Sequence, residues 1–405
     1  MAKQHLQWMR ARRTVLSVLA VLCPAGAVAA LSWAPYLPRL AFERYPQATW
    51  PAPGSFAVVP GGDAQAEDLA ADTRGTVLDP QGRSLFEQKD GKAFLIFQRG
   101  KLRLEHYGEG AGPRSRFNSY SMVKSLVGAL VLKAHAEGRI ASLSDPIGAY
   151  LPKLGDAGFR SVPILSFLTM TSGVAFEPGD AKPAAMPAKD MEATRLNPFG
   201  PMVRLHMLGL AAVGDRLRAD PARRGRYSYQ NVNTAALAAL LAAVYAMPLD
   251  RLLSEKIWAP AGAGTARWRR YGPGAAVSPY CCLYATARDW LRVGVFLMSN
   301  GTGGRAFLPE PLWRRFLGRD LSRAQILDGH YGLHIYHNVL DRAGERIQGP
   351  FAYMFGSRGQ VVYLVPDKHL VVVRFGGQIQ LLHSTLYAAW RSISAAPAKV
   401  ADPSR

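Results

Sequence analysis

The chain has 405 residues, of which 49% are hydrophobic, so it is long enough to bury a sizeable core. We find no internal repeat at a fixed period, which argues against a repeat architecture. The formal net charge is +20, but no nucleic-acid-binding motif focuses it, and we expect no nucleic-acid partner. A basic surface of this kind fits a protein that works near anionic lipid or cell-wall polymers.

Residues 1–34 have the pattern of a targeting segment. Residues 1–13 are basic and contain no acid, and residues 15–33 are apolar and uncharged. This order is typical of a secretory signal peptide or of a membrane anchor. The small residues Ala27-Val28-Ala29 offer a cleavage site, whereas the length of the apolar run favours an uncleaved anchor, so both alternatives stay open. With the basic end inside, we expect the rest of the chain at the periplasmic face of the inner membrane, or in the periplasm after cleavage.

The remaining chain divides into three parts. Residues 35–90 are rich in Pro, Gly and Asp and show little periodicity, which predicts a linker and an irregular lead-in. Residues 91–396 carry the regular patterns and are predicted to form one domain, followed by a tail at 397–405.

Two hairpins and several helices are predicted within this domain. Strand patterns flank short turns in residues 93–107 and again in residues 361–374. Helical periodicity is found in five segments, at residues 121–137, 164–170, 234–246, 286–300 and 381–395. Strands at both ends with helices between them predict an α+β fold, in which a mixed antiparallel sheet is covered by a helical lobe.

A Ser-x-x-Lys motif, from Ser121 to Lys124, opens the first of these helices. Residues three apart on a helix share a face, so the amine can reach the hydroxyl. A serine hydroxyl becomes a good nucleophile when a base takes its proton, and a lysine serves as that base if burial lowers its pKa.

Other candidate motifs have more ordinary explanations. His330, His334 and His337 lack a carboxylate pattern that would support zinc, and we interpret them as partly exposed strand residues. Cys281 and Cys282 are adjacent, and vicinal cysteines rarely bridge, so we expect no structural disulfide. We therefore expect neither a metal nor a cofactor.

The chain resembles the class C β-lactamase family in its broad sense, which includes D-alanyl-D-alanine peptidases, esterases and 6-aminohexanoate-dimer hydrolases. The resemblance covers roughly residues 90–395. Its segments occur in the family's order and are residues 92–107, Asn118 to Ser125, Leu143 to Pro146, Leu165 to Gly173 and Tyr284 to Trp290. The resemblance implies a β-lactamase/DD-peptidase-like fold with Ser121 as nucleophile and Lys124 as base.

The family's second motif is Tyr-x-Asn or Tyr-x-Ser, and Tyr229-Gln230-Asn231 fits it. A phenol near the lysine could carry a proton between the serine and the leaving group. Tyr227 is the competitor, since two residues that are two apart in an extended segment point the same way. We prefer Tyr229, because only it has Asn at the second position beyond it.

The third motif departs from the β-lactamase pattern. Lys-Thr-Gly or His-Thr-Gly is replaced by residues 353–360, which resemble the Gly-x-x-Gly-Gln form of the 6-aminohexanoate-dimer hydrolase branch. The cation that would hold a β-lactam carboxylate is missing from its usual place. The resemblance still implies an oxyanion hole from the Ser121 amide and that of Ser357 or Gly356, with Asn231 and Gly359 near the substrate.

Two classes of function follow. The first is a serine hydrolase that cleaves a small-molecule or peptide-like amide or ester through an acyl-enzyme, with Tyr229 as proton carrier; a true β-lactamase or DD-peptidase is a variant of it. The second is a non-catalytic binding or scaffold protein of the same fold, tethered to the membrane by its N-terminal segment. The intact set of Ser121, Lys124 and Tyr229 favours the enzyme.

Overall fold

The computed structural model describes eight segments of the chain, namely residues 34–43, 56–62, 72–73, 76–174, 199–327, 329–339, 350–380 and 383–395. The predicted targeting segment, apart from Ala34, and the predicted tail at 397–405 lie outside these residues.

Seven antiparallel strands form the main sheet in the order β3-β2-β13-β12-β11-β10-β9. The strands are β2 (Gly91–Gln98), β3 (Lys101–Tyr107), β9 (His330–Gly332), β10 (Ile335–Val339), β11 (Pro350–Gly356), β12 (Gln360–Val365) and β13 (Leu370–Gly376). Strands from both ends of the domain meet at its centre, where β2 pairs with β13.

Both predicted hairpins are present. Arg99 and Gly100, between β2 and β3, have φ angles of 51° and 81°, as in the two-residue turns whose twist matches that of the paired strands. The 3₁₀ turn Pro366–Lys368 joins β12 to β13. Both turns lie where the sequence predicted them.

Helices cover both faces of this sheet. They are α1 (Leu37–Glu43), α2 (Pro80–Gln88), α3 (Val123–Ala136), α4 (Ala157–Arg160), α5 (Ile164–Leu168), α6 (Pro201–Leu208), α7 (Asn231–Tyr245), α8 (Leu249–Leu253), α9 (Ala287–Met298), α10 (Glu310–Phe316), α11 (Arg323–Ile326) and α12 (Ser384–Ser394). Helix α9 crosses β2, β12 and β13 on one face, while α2 and α12 pack together on the other. Helices α3 and α7 contact each other in the helical lobe, so the predicted α+β fold is confirmed.

Helix α9 shows how the sequence determines this packing. Thr286 and Asp289 form a reciprocal capping box at its first turn. Gly294 faces the sheet, and a Cβ there would lie 2.8 Å from Val371 and 3.0 Å from Val362. Arg288 from the same helix donates two hydrogen bonds, of 2.7 and 2.6 Å, to Glu105, which ties α9 to the first hairpin.

A second sheet of four strands, in the order β1-β5-β6-β4, lies beside the lobe. Its strands are β1 (Phe56–Val59), β4 (Arg116–Asn118), β5 (Ala266–Arg269) and β6 (Leu283–Thr286); β7 (Gly301–Thr302) and β8 (Arg305–Ala306) form a separate ribbon. The predicted linker at 35–90 supplies β1, α1 and α2, so its described parts are more regular than the sequence predicted. Strand β1 can be recognised only from its pairing with β5, which is distant in the sequence.

Among the described residues, no single helix is long and apolar enough to cross a membrane. One pair, Asn231–Tyr245 with Leu249–Trp258, passes the length and composition test together but is bent by 83°.

Candidate active site

Ser121 lies on a tight turn between the small sheet and the helical lobe. Strand β4 ends at Asn118, and the 3₁₀ turn Tyr120–Met122 leads into α3. Tyr120 has a φ of 45°, an uncommon backbone conformation for a residue with a side chain. The Asn118 side chain accepts a hydrogen bond from the Tyr120 amide at 2.9 Å, which holds this bend and leaves Ser121 partly exposed.

Lys124 lies on the first turn of α3 and is only 1% exposed. Its Nζ is 2.8 Å from Ser121 Oγ and donates to the Tyr280 carbonyl at 3.1 Å. The predicted proximity of the two motif residues is therefore present. The Tyr280 carbonyl was not predicted, because it is 156 positions away in the chain and no sequence motif marks a backbone acceptor.

The ring of Tyr229 lies next to Lys124. Lys124 Nζ is 4.8 Å from the ring centroid, and Tyr229 also packs edge-on against Tyr331 at 5.9 Å. Tyr227 packs against the same Tyr331 at 5.7 Å. Contact with Lys124 favours Tyr229 over Tyr227 as the tyrosine nearest the Ser-Lys pair.

The segment that carries Tyr229 is held by residues Leu165 to Gly173, one of the segments that resemble the family. The Met170 carbonyl accepts a hydrogen bond from the Ser228 amide at 2.8 Å. Ser172 donates to the side chain of Asn233 at 2.6 Å, and Asn233 donates to Met170 Sδ at 3.1 Å. These contacts, which join residues about 60 positions apart, place Tyr229 against the nucleophile turn.

The predicted Asn231 is the first residue of α7 and is half-buried. The buried side-chain amide that Ser172 contacts is instead that of Asn233, two residues after Asn231.

Buried tyrosines extend the site away from Lys124. Tyr336 stacks on Tyr229 at 6.4 Å and on Tyr353 at 5.1 Å. Burial raises the pKa of Tyr331 and of Tyr336 well above the usual value, and the charges of neighbouring phenols add to this. Both hydroxyls therefore stay protonated at neutral pH, and this wall of the site carries no charge.

The His334 ring joins two helices, α5 and α7, behind the Ser-Lys pair. Its Nδ1 lies 2.9 Å from the Leu168 carbonyl and its Nε2 lies 3.0 Å from the Thr234 hydroxyl. Burial lowers its pKa to about 3, and the charge of Lys124 contributes. A neutral ring therefore donates from Nδ1 and accepts at Nε2.

The expectation of partly exposed histidines is wrong for His334 and His337, which are both buried. His337 contacts the Phe316 carbonyl at 2.8 Å and His330 at 3.0 Å. The sequence did not show this because the groups that contact the two rings, Leu168 and Thr234 for His334 and Phe316 for His337, are distant from them in the chain. Among the described residues, no group of three or more His, Cys, Asp or Glu side chains could hold a metal.

The third motif ends β11 beside the nucleophile turn. Gly356 packs directly against the Ser119 carbonyl, and a Cβ there would also lie 3.2 Å from that of Tyr120, so glycine is required. Ser357 and Gly359 belong to the 3₁₀ turn that follows. Gly356 is thus brought next to the segment that carries Ser121, whereas Gly359 packs against Arg374.

The expectation of no disulfide is wrong, since the structure joins Cys281 to Cys282. Cys282 has a φ of 72°, which lies in the left-handed region of backbone conformation. In extended backbone neighbouring side chains point to opposite faces, and the left-handed turn lets the two sulfurs meet. The pair lies between Tyr280, the acceptor for Lys124, and Leu283, which pairs with Ser119.

Comparison with known proteins identifies the family of the chain. The β-lactamase family matches residues 83–376. The 6-aminohexanoate-dimer hydrolase of Paenarthrobacter ureafaciens is 27% identical over 233 residues, which are 56% of this chain and 57% of that protein. The alignment thus spans little more than half the length of this curated relative.

Solved structures share the fold. The "Putative 6-aminohexanoate-dimer hydrolase from Bacillus anthracis" superposes with a TM-score of 0.67 at 20% identity, covering 84% of this chain and 90% of that one. A class C β-lactamase from Rhodobacter sphaeroides gives 0.52 at 15% identity, covering 77% and 97%. Because the family match spans well over half of the chain, the protein belongs to the β-lactamase family of serine hydrolases.

Proposed function

We propose that the protein is a serine acyl hydrolase that cleaves an amide or ester bond through an acyl-enzyme on Ser121. The observation that carries this proposal is the 2.8 Å distance between Lys124 Nζ and Ser121 Oγ, with the lysine buried and the serine partly exposed. A buried amine in contact with an accessible hydroxyl is the arrangement that activates a serine nucleophile.

The proposed reaction has two halves. Ser121 Oγ attacks the acyl carbon while its proton passes to Lys124 Nζ, and the tetrahedral intermediate then collapses. The leaving amine or alcohol takes a proton by way of the Tyr229 hydroxyl. Water then attacks the acyl-enzyme, releases the acid, and returns a proton to Ser121 through the same groups. The contact of Tyr229 with Lys124 supports this relay.

The oxyanion formed in each half needs backbone donors. We propose the amide of Ser121 together with that of Ser357 or Gly356, and we assign Asn231 and Gly359 to the substrate-binding surface. The packing of Gly356 on the nucleophile turn supports this assignment. Removing one donor of such a pair costs about 10²–10³ in kcat.

For the substrate, we propose esters or linear amides rather than β-lactams. Tyr353 is buried and Phe355 is half-buried where β-lactamases hold a cation, and neither supplies a charge. A charge-assisted hydrogen bond contributes about 1.5–3 kcal/mol. The name of the Paenarthrobacter ureafaciens relative, 6-aminohexanoate-dimer hydrolase, supports a substrate other than a β-lactam.

Labelling with a fluorophosphonate probe tests the proposal. We expect a single adduct on Ser121, lost in Ser121→Ala, and hydrolysis of chromogenic esters by the wild-type protein. An adduct on another residue, or wild-type protein that neither reacts nor hydrolyses esters and amides, would support the non-catalytic alternative instead.

A further inference from the structure

The carbonyl groups of the turn that follows β11 are held by two buried side chains. Gln360 Nε2 donates to the Ser357 carbonyl at 3.1 Å. Arg374 Nη1 donates to the carbonyls of Arg358 and Gly359 at 3.2 and 2.9 Å. All three residues of the turn are therefore fixed through their backbone oxygens.

Both side chains are buried and held from behind. Gln360 is 4% exposed and exchanges two hydrogen bonds with the backbone of Gly376, at 2.7 and 3.0 Å. Arg374 is 0% exposed, and its Nη2 donates to the carbonyls of Lys89 and Gln378, each at 3.1 Å. Two side chains anchored in the sheet thus reach the turn as a rigid support.

The guanidinium of Arg374 is charged in this place. Burial lowers its pKa to about 10, which still leaves it protonated at neutral pH. A buried charge is costly unless hydrogen bonds satisfy it. Here four backbone carbonyls accept from Nη1 and Nη2, while Nε has no partner among the described residues. Gly359 and Gly376 leave space for the guanidinium, because a Cβ on Gly359 would lie 2.7 Å from Arg374 Nη1.

The supported turn begins where β11 touches the nucleophile segment. Gly356 packs against Ser119 and Tyr120, immediately before Ser121. The C=O and N–H groups of a trans peptide point in opposite directions. The carbonyl of one residue shares its peptide plane with the N–H of the next, so holding these three carbonyls orients the N–H groups of Arg358, Gly359 and Gln360. This fixes the chain that directly follows the Gly356 and Ser357 amides, and the guanidinium adds a positive charge beside it.

We infer that Gln360 and Arg374 are positioning residues that hold the Ser357–Gly359 turn so that backbone amides at the end of β11 stabilise the oxyanion. This inference rests on the proposed function, because it needs Ser121 to form a tetrahedral intermediate. Neither side chain touches the reacting atoms; both act through the backbone of the turn.

The test compares Gln360→Met and Arg374→Met with wild-type protein. Steady-state kinetics on a chromogenic ester are combined with inhibition by a phenylboronic acid, whose tetrahedral adduct on a serine resembles the intermediate. We expect kcat to fall about tenfold to a hundredfold with KM changed less than about threefold. The inhibition constant of the boronic acid should rise in proportion to the loss of kcat/KM.

Arg319→Met is the matched control. Arg319 pairs at 2.9 Å with Asp367, which lies in the β12–β13 turn at the other end of β12 from Ser357–Gly359, and its loss should leave both readouts unchanged. Arg374→Lys keeps the charge and should recover part of the boronic-acid affinity. If Arg374→Met fails to fold, Gln360→Met, which keeps the size and removes no charge, decides.

The outcomes separate the two proposals. The positioning role would be overturned if folded variants are inhibited by the boronic acid as strongly as wild type, or if only KM changes. Either result would leave the hydrolase proposal intact. Wild-type protein that neither cleaves esters nor binds the boronic acid would overturn the proposed function and this inference with it.

Discussion

Replacing Lys124 by Met removes the proposed base while keeping a side chain of similar length. The hydrogen bonds to Ser121 and to the Tyr280 carbonyl are lost. A positioned general base contributes about 10²–10⁴ in rate, so we expect kcat to fall by that factor. Fluorophosphonate labelling of Ser121 should slow to a similar degree.

The effect on stability should be small, because two contributions oppose each other. Lys124 is 1% exposed, so removing its amine removes the cost of keeping a polar group away from water. Met cannot donate to the Tyr280 carbonyl, and leaving a buried acceptor unpaired costs about 1–3 kcal/mol. We therefore expect the free energy of unfolding to stay within about 2 kcal/mol of the wild-type value.

Urea unfolding followed by tryptophan fluorescence measures stability, and ester hydrolysis measures activity. Lys133→Met is the control, since Lys133 lies on the same helix and pairs with Glu137 at 3.6 Å; it should change kcat by less than about twofold. Lys124→Met with kcat within about threefold of wild type would refute the assignment of the base. So would a loss of activity that is matched by unfolding at much lower urea concentration.

Four further predictions follow. Ser121→Ala should abolish hydrolysis of a small chromogenic ester without changing the circular dichroism spectrum; full activity in this variant would remove Ser121 from the mechanism. A chromogenic cephalosporin should be turned over weakly, by about one to two orders of magnitude less than if a cation held its carboxylate; efficient turnover that is lost in Arg358→Ala would contradict this and identify Arg358 as the substitute cation. A reporter fused after residue 405 should be active only outside the cytoplasm, and activity confined to the cytoplasm would refute the targeting role of the N-terminal segment. Burial lowers the pKa of His334 to about 3 and that of His337 to about 4, below the ordinary value near 6.5; the unfolded chain therefore binds more protons between these values, and the melting temperature should fall as the pH is lowered from 7 to 4. Equal melting temperatures at the two pH values would show that these rings protonate in the folded state.

Local patterns in the sequence determined much of this protein. The two hairpins were predictable because runs of apolar, strand-forming residues flank turns of two or three residues. The pairing of Ser121 with Lys124 was predictable because both lie within one turn of chain, where helical geometry alone sets their distance. The family signatures then indicated the sheet and the lobe that surround them.

Contacts between distant parts of the chain could be decided only by the tertiary structure. The Tyr280 carbonyl reaches Lys124 across 156 positions, and Arg374 reaches Lys89 across 285. The burial of His334 depends on helices that pack over the β9–β10 turn. Backbone carbonyls are present at every residue, so no side-chain pattern marks which of them will become a partner. That choice is made when the strands and helices pack, because packing alone determines which buried groups lie within hydrogen-bonding distance.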